Sequence, residues 1–120
     1  MDRKKQLKRE YKNRVRDAGV FHIKNLVNGK KFIGAGCDIN AVMNKYKSEL
    51  RFGSNRNKIL QQEWNEYGEH NFEFSIVELL EKNDDPDHDY REELNVLEEL
   101  WLEREIPNDS KGYNVRKPQK

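Results

Sequence analysis

The chain has 120 residues, 38% of them charged and 34% hydrophobic, and a formal net charge of +1 at pH 7. That is one domain's worth of chain, and its apolar share, about 40% with the glycines, lies below the ~45–50% usual for globular domains. One cysteine, Cys37, excludes an internal disulfide and fits a reducing cytosol, and no apolar run has the length of a secretory or membrane-spanning segment, so a soluble cytoplasmic protein is expected.

The small net charge hides segregation. Residues 1–18 hold eight Lys/Arg against three acids, and residues 19–68 hold eight against four. Residues 69–105 reverse this, with three against fourteen, and residues 106–120 hold four against one. A basic N-terminal two-thirds therefore faces an acidic flank.

In chain order, residues 2–17 place Leu7, Tyr11 and Val15 four apart, a narrow apolar stripe on a basic helix. This reads either as an arm contacting phosphates or as a solvated helix docked by its stripe. Val20, Phe21, Ile23, Leu26 and Val27 then form a β-prone run, and Phe32-Ile33 a second, with Asn28-Gly29 between them predicting a hairpin with a type I′ turn. Gly19 and Gly34 mark close backbone approach or sharp bends. Asp38 caps a helix to about Leu50, closed by Phe52-Gly53, with Ile39, Val42, Met43, Tyr46 and Leu50 on one face. Ser54 or Asn55 caps a second helix to about Tyr67, carrying Leu60, Trp64 and Tyr67 and closed by Gly68. Phe72, Phe74 and Ile76 alternate as a third strand. After an acidic loop, a helix over about residues 90–105 carries Tyr90, Leu94, Leu97 and Trp101, Pro107 ends it, and Gly112 to Val115 form a short extended coda. The order β-β-α-α-β-α predicts an α+β fold, a small three-stranded antiparallel sheet flanked by helices. Residues 1–18 are expected as a basic arm, 19–116 as the domain and 117–120 as a tail.

The triplets Gly19-Val20-Phe21 and Phe32-Ile33-Gly34, separated by ten residues, resemble the Gly-Ile-Tyr…Tyr-Ile-Gly signature of the GIY-YIG nuclease superfamily, with both tyrosines replaced by Phe. The resemblance extends through Lys58 to Gly68, Asn71-Phe72-Glu73-Phe74, Glu98 with Trp101, and Gly112-Tyr113-Asn114. It implies phosphodiester hydrolysis by a metal-holding glutamate, tyrosine hydroxyls near the attacking water, and an arginine against the developing phosphate charge. Such chemistry needs a positioned nucleophile and neutralised equatorial oxygens. Carried over, the tyrosines fall on Phe21 and Phe32, the arginine on Val42, and two frequent histidines on Tyr46 and Asn55. Glu98 and Asn114 keep the implied chemistry, with Mg²⁺ or Mn²⁺ possible at Glu98. The plain alternatives are a solvated Glu98 on an acidic helix and an Asn114 that caps a turn. Lys45 and Tyr46, three and four residues after Val42, offer a relocated cation and hydroxyl, whereas His22 points to the other face of its strand.

Other signals carry little. Asp85-x-Asp87-x-Asp89 imitates half a calcium loop but lacks its glycine and closing glutamate, and reads instead as acids at a helix N-terminus. His22, His70 and His88 lack metal-ligand spacing, and Cys37 is expected to be a plain buried thiol. Three functions follow. The first is a GIY-YIG-fold DNA-binding module without nuclease activity, its phosphate contacts drawn from Lys24, Lys30, Lys31, Lys45, Lys47, Arg51, Arg56 and Lys58. The second is an active metal-dependent endonuclease with a rearranged site. The third is a protein- or small-ligand-binding module using acidic residues 78–105.

Overall fold

The computed structural model describes residues 17–85, 87–106 and 112–114. All but the last residue of the basic segment 2–17, together with Pro107, Val115 and the tail 117–120, lies outside the described residues. Strands β1 (Gly19–Asn25) and β2 (Lys31–Gly36) form the expected hairpin, and β3 (Phe72–Leu79) pairs antiparallel with the other edge of β1, giving the order β2-β1-β3. Helices α1 (Ile39–Phe52) and α2 (Lys58–Tyr67) and a single 3₁₀ turn (Glu69–Asn71) separate β2 from β3, and α3 (Arg91–Glu105) follows it. This is the expected α+β arrangement.

Alternation along β1 sorts the helices into two layers. Phe21 and Ile23 point to one face, against Ile39 and Leu50 of α1 and Leu60 and Trp64 of α2. Val20, with Ile33 of β2, points to the other, against Leu97, Trp101 and Leu102 of α3 and the buried Ile106. Leu102 and Ile106 complete a stripe that Leu94, Leu97 and Trp101 begin. Ile76, expected to face the core, pairs with Phe21 but is exposed, and Val77 falls on the α3 side by alternation. A bulge between Val20 and Phe21 then sets Glu78 opposite Val20, where the Trp101 indole of α3 donates to it.

Local chemistry departs from expectation in four places. The hairpin turn is no two-residue type I′ turn. Gly29 alone has positive φ there (79°), the Gly29 N–H donates to Asn25 C=O at 2.8 Å, and the Asn25 N–H donates to Lys30 C=O at 2.8 Å to close a four-residue loop. The Asn25 carboxamide drives this by accepting from Val27 N–H at 2.9 Å, which lifts Leu26 and Val27 out of the strand into solvent. Asn57, rather than Ser54 or Asn55, caps α2, its side chain accepting from Leu60 N–H at 3.0 Å. Asn55 instead staples the preceding loop, accepting from Asn57 N–H and donating to Glu49. Cys37 is exposed, because it lies in the bend between β2 and α1. The Asp38 cap and the left-handed Gly53 stop of α1 are as expected.

The coda is tied down on the β2 edge. Gly112 bridges Lys31 in parallel, and Tyr113 N–H donates to Lys31 C=O at 2.9 Å. The Tyr113 hydroxyl is buried with Asn25, donating to Glu63 at 2.6 Å while accepting from the Asn25 amide at 2.9 Å. Burial works to raise the Glu63 carboxyl, but hydrogen bonds from Tyr113, Asn28 and Lys30 more than offset it and hold the group below its usual range.

Gly34 lies under the Phe21 ring, where a Cβ would sit 2.6 Å from two ring carbons. Gly34→Ala is therefore expected to destabilise the fold by about 1–3 kcal/mol in urea unfolding, and a value within about 0.5 kcal/mol of wild type, the range of an unperturbed site, contradicts that packing. His22, on the α3 side, has a buried Nε2 without a hydrogen-bond partner among the described residues, and Glu73 at 3.9 Å is too far to hydrogen-bond. Burial, then Lys31, lowers its pKa below 6.5 despite Glu73 and Glu105. The unfolded chain thus takes up the proton first, so stability falls as pH drops below about 6.5. His22→Leu is expected to lose less stability than wild type between pH 7 and 5, and equal losses in urea midpoints count against it.

Candidate nucleic-acid interface

Of the positions that match the signature tyrosines, Phe21 is buried in the core and Phe32 is partly buried against it. Phe21 is 0% exposed, and its ring lies 6.3 Å from Phe32 and 5.6 Å from Tyr46, with Phe32 and Tyr46 5.1 Å apart. Val42 packs on the same cluster, over Gly36. Three rings thus meet where the implied chemistry needs hydroxyls, and Tyr46 alone carries one. Burial raises the Tyr46 pKa, and the charges of Glu49 and Glu98 add to it against Arg56. At neutral pH this hydroxyl keeps its proton and serves as a hydrogen-bond donor.

Beside the rings opens a cleft of about 400 Å³, lined by Phe32, Lys45, Tyr46 and Glu49, by the connecting loop through Asn55, Arg56 and Asn57, and by Asn114. Helix α1 supplies Lys45, Tyr46 and Glu49, and the coda supplies Asn114. The Asn114 side chain accepts from Ile33 N–H at 2.8 Å and donates to Ile33 C=O at 2.7 Å. It therefore pairs with the β2 edge as a third residue of backbone would. Its neighbour Tyr113 is fixed by the Asn57 amide on its carbonyl. Glu98 approaches from α3 closely enough for its charge to reach Tyr46. Burial raises the Glu98 pKa, and Glu99 raises it further. Glu98 is thus a half-buried carboxylate, and no cation among the described residues offsets its desolvation.

The eight cations named from the sequence divide by environment. Lys30 pairs with Glu63 at 3.3 Å, Lys31 with Glu105 at 3.1 Å, and Arg51 makes two 2.7 Å bonds to Glu69. Lys47 lies over the Phe74 ring at 5.2 Å, beside a separate groove that Trp64, His70 and Phe72 also line. Lys24 alternates with Phe21 and Ile23 and falls on the His22 side of the sheet. Lys45 and Arg56 line the cleft, and Lys58 is exposed at the start of α2. None of these last three has an acidic partner among the described residues. Glu49, Asn57, Glu63 and Tyr113 shape the site without having been singled out by residue type. The Gly-Tyr-Asn triplet was the available signal for Tyr113, but its link to Glu63 spans fifty residues.

The acids of 78–105 lie mostly on the other side of the sheet, in or before α3. Several are engaged: Asp89 with Arg91, Glu93 with His88, Glu105 with Lys31, and Glu78 with the Trp101 indole. Asp85 and Asp89 accept from the backbone N–H groups of Asp87 and Arg91, and no group of three His, Cys, Asp or Glu could hold a metal ion among the described residues. No helix among the described residues is long and apolar enough to cross a membrane.

No family model matches the chain. Intron-associated endonuclease 1 of Enterobacteria phage T4 is 26% identical over 98 residues, which cover 82% of this chain and 36% of that protein. The chain thus spans about a third of the length of this curated relative. Among solved structures, the catalytic domain of homing endonuclease I-TevI superposes with a TM-score of 0.65 at 27% identity, covering 83% of this chain and 99% of that one. A mutant of the I-TevI catalytic domain gives a TM-score of 0.68 at 23% identity, covering 86% and 97%. By sequence and by fold, this chain is homologous to the catalytic domain of the T4 intron endonuclease I-TevI, a domain of GIY-YIG type.

Proposed function

We propose that the chain binds DNA through the cleft beside Tyr46 and does not itself hydrolyse the strand it holds. Its endonuclease homologues act on DNA, and Lys45 and Arg56 line the cleft, with Lys58 exposed at the start of α2, all three without acidic partners among the described residues. The observation that carries the loss of hydrolysis is the ring cluster. Phe21 is buried in the core, Phe32 packs against it at the cleft wall, and neither ring accepts or donates a proton. Loss of a general base typically lowers rates about 10²–10⁴-fold, and loss of an electrostatic clamp about 10²–10³-fold. Val42, where the resemblance places the arginine, removes the clamp as well, and although such effects are not additive within one site, little transition-state stabilisation is left.

Glu98 is the residue that would hold a divalent ion. A lone carboxylate fits only the mode in which Mg²⁺ keeps most of its waters and draws remaining ligands from substrate phosphate. Bound there, the ion would neutralise phosphate charge. The protein's own part is then to orient the backbone between Lys45, Arg56 and the Tyr46 hydroxyl.

DNA binding of this kind is mostly phosphate contact, so affinity should fall steeply with salt. In gel-shift titrations, Lys45→Ala and Arg56→Ala are each expected to reduce the salt slope by about 1, whereas Arg51→Ala, whose side chain is committed to Glu69, changes it less. Absence of binding at low salt removes the DNA reading.

A second reading, an active metal-dependent endonuclease with a rearranged site, is favoured by the gathering of Lys45, Tyr46 and Arg56 at one cleft, with the Glu98 charge reaching the Tyr46 hydroxyl. Supercoiled plasmid incubated with Mg²⁺ or Mn²⁺ separates the two. Our reading expects intact plasmid. Metal-dependent nicking that disappears in both Glu98→Ala and Tyr46→Phe establishes the rearranged enzyme instead.

A further inference from the structure

We infer that Phe52 is a base-stacking residue, on whose ring an unpaired or extruded DNA base lies while the neighbouring phosphates rest on Arg56 and Lys45. The inference depends on the DNA-binding reading above and deepens it, because it adds a contact to the base itself.

Single exposed apolar residues are common and need no explanation, but Phe52 stands apart. It is 87% exposed, while the other exposed large apolar side chains run from 42% to 58%. It belongs to neither apolar cluster. Its position is not arbitrary. Lys45, Glu49 and Phe52 stand at i, i+4 and i+7 on α1, so the stripe that lines the cleft continues outward to this ring. The loop that carries Arg56 folds back on the same stripe, since the Asn55 amide donates to the Glu49 carboxylate at 3.2 Å.

The ring is also held on a rigid mount. Gly53, at φ 75°, returns its N–H to the carbonyls of Glu49 and Leu50. The buried Gln61 amide donates to Leu50 C=O at 2.9 Å, fastening the last turn of α1 to α2. A platform already ordered loses little conformational entropy when a ligand settles on it. An aromatic face accepts any base, with no need for matching hydrogen-bond groups, and nearby cations supply the strand's charge complement. Lys45 stands two turns before Phe52 on the same stripe, and Arg56 and Lys58 follow Phe52 by four and six residues, in the loop and at the start of α2. A flat apolar ring at the end of a stripe that leads to these cations therefore fits an exposed base on its own phosphate backbone. Opening a paired base costs free energy that a bulged base does not require, so the surface should favour DNA that already carries an unpaired base.

The test uses the whole chain and two DNA duplexes, one fully paired and one with a single-base bulge carrying 2-aminopurine. Wild type is expected to prefer the bulged duplex and to quench its fluorescence on binding. Phe52→Ala should lose about tenfold in affinity for the bulged duplex, together with the quenching, while its salt slope stays at the wild-type value because no phosphate contact is removed. Phe52→Trp should restore both. Since Phe52 is solvent-exposed, the alanine variant is expected to fold as wild type does, and matched urea midpoints check this. A Phe52→Ala protein that keeps the preference and the quenching overturns stacking while DNA binding stands. Failure of wild type to bind either duplex at low salt overturns both.

Discussion

The contact on which the site depends is the Phe21 ring against the bare backbone of Gly34. A side chain at Gly34 would occupy the space of two ring carbons, so only glycine lets the central strand lay an aromatic ring across its hairpin partner. From there the ring reaches Phe32 and Tyr46, and Tyr46 brings α1 down on the sheet. The cleft exists because α1 is held at that height while the coda is pinned to the β2 edge. Burying a phenyl ring contributes about 1.5–3 kcal/mol, and a phenol at the same buried position would need a hydrogen-bond partner to avoid a desolvation penalty. Phenylalanine in both signature positions therefore favours packing and removes proton chemistry together.

Charge follows the same two-layer logic. The segregation visible along the chain becomes a division across the sheet, with most of the acidic flank on the α3 side and the cleft cations on the α1 side. The sheet between them keeps much of that acid from neutralising the cleft. Glu98 is the exception. Its carboxylate is desolvated without a compensating cation among the described residues, an arrangement that lowers stability at neutral pH and is found at functional sites. It shares the cleft's surroundings with a single hydroxyl, that of Tyr46.

Much of this was legible in the sequence because it depends on local rules. The Phe21–Phe32 spacing, the Asp38 cap, the Gly53 stop and the alternation of Phe72 and Phe74 each follow from backbone geometry within a few residues. What escaped reading depends on partners far away in the chain. Asn25 and Tyr113 are 88 positions apart, yet Tyr113 and Glu63 accept from the amide of the Asn25 side chain whose oxygen takes the Val27 N–H and opens the hairpin turn that Asn28-Gly29 alone would make tight. Lys30, Lys31 and Arg51 look like free cations in the sequence, and only tertiary structure brings Glu63, Glu105 and Glu69 to them. Asn57 won the cap of α2 because Asn55 was already committed to Glu49 and the loop. Local propensity cannot rank two asparagines whose difference is set elsewhere.

The central claim is that DNA is held in the cleft between α1, the loop after it and the coda. The most direct measurement is a ¹H–¹⁵N chemical-shift titration of the chain with a short DNA duplex at low salt. Our account predicts that the largest changes fall on the amides of Lys45, Tyr46, Arg56 and Asn57, with the outer surface of α3 unmoved. Changes confined to α3, or an unchanged spectrum, would contradict it.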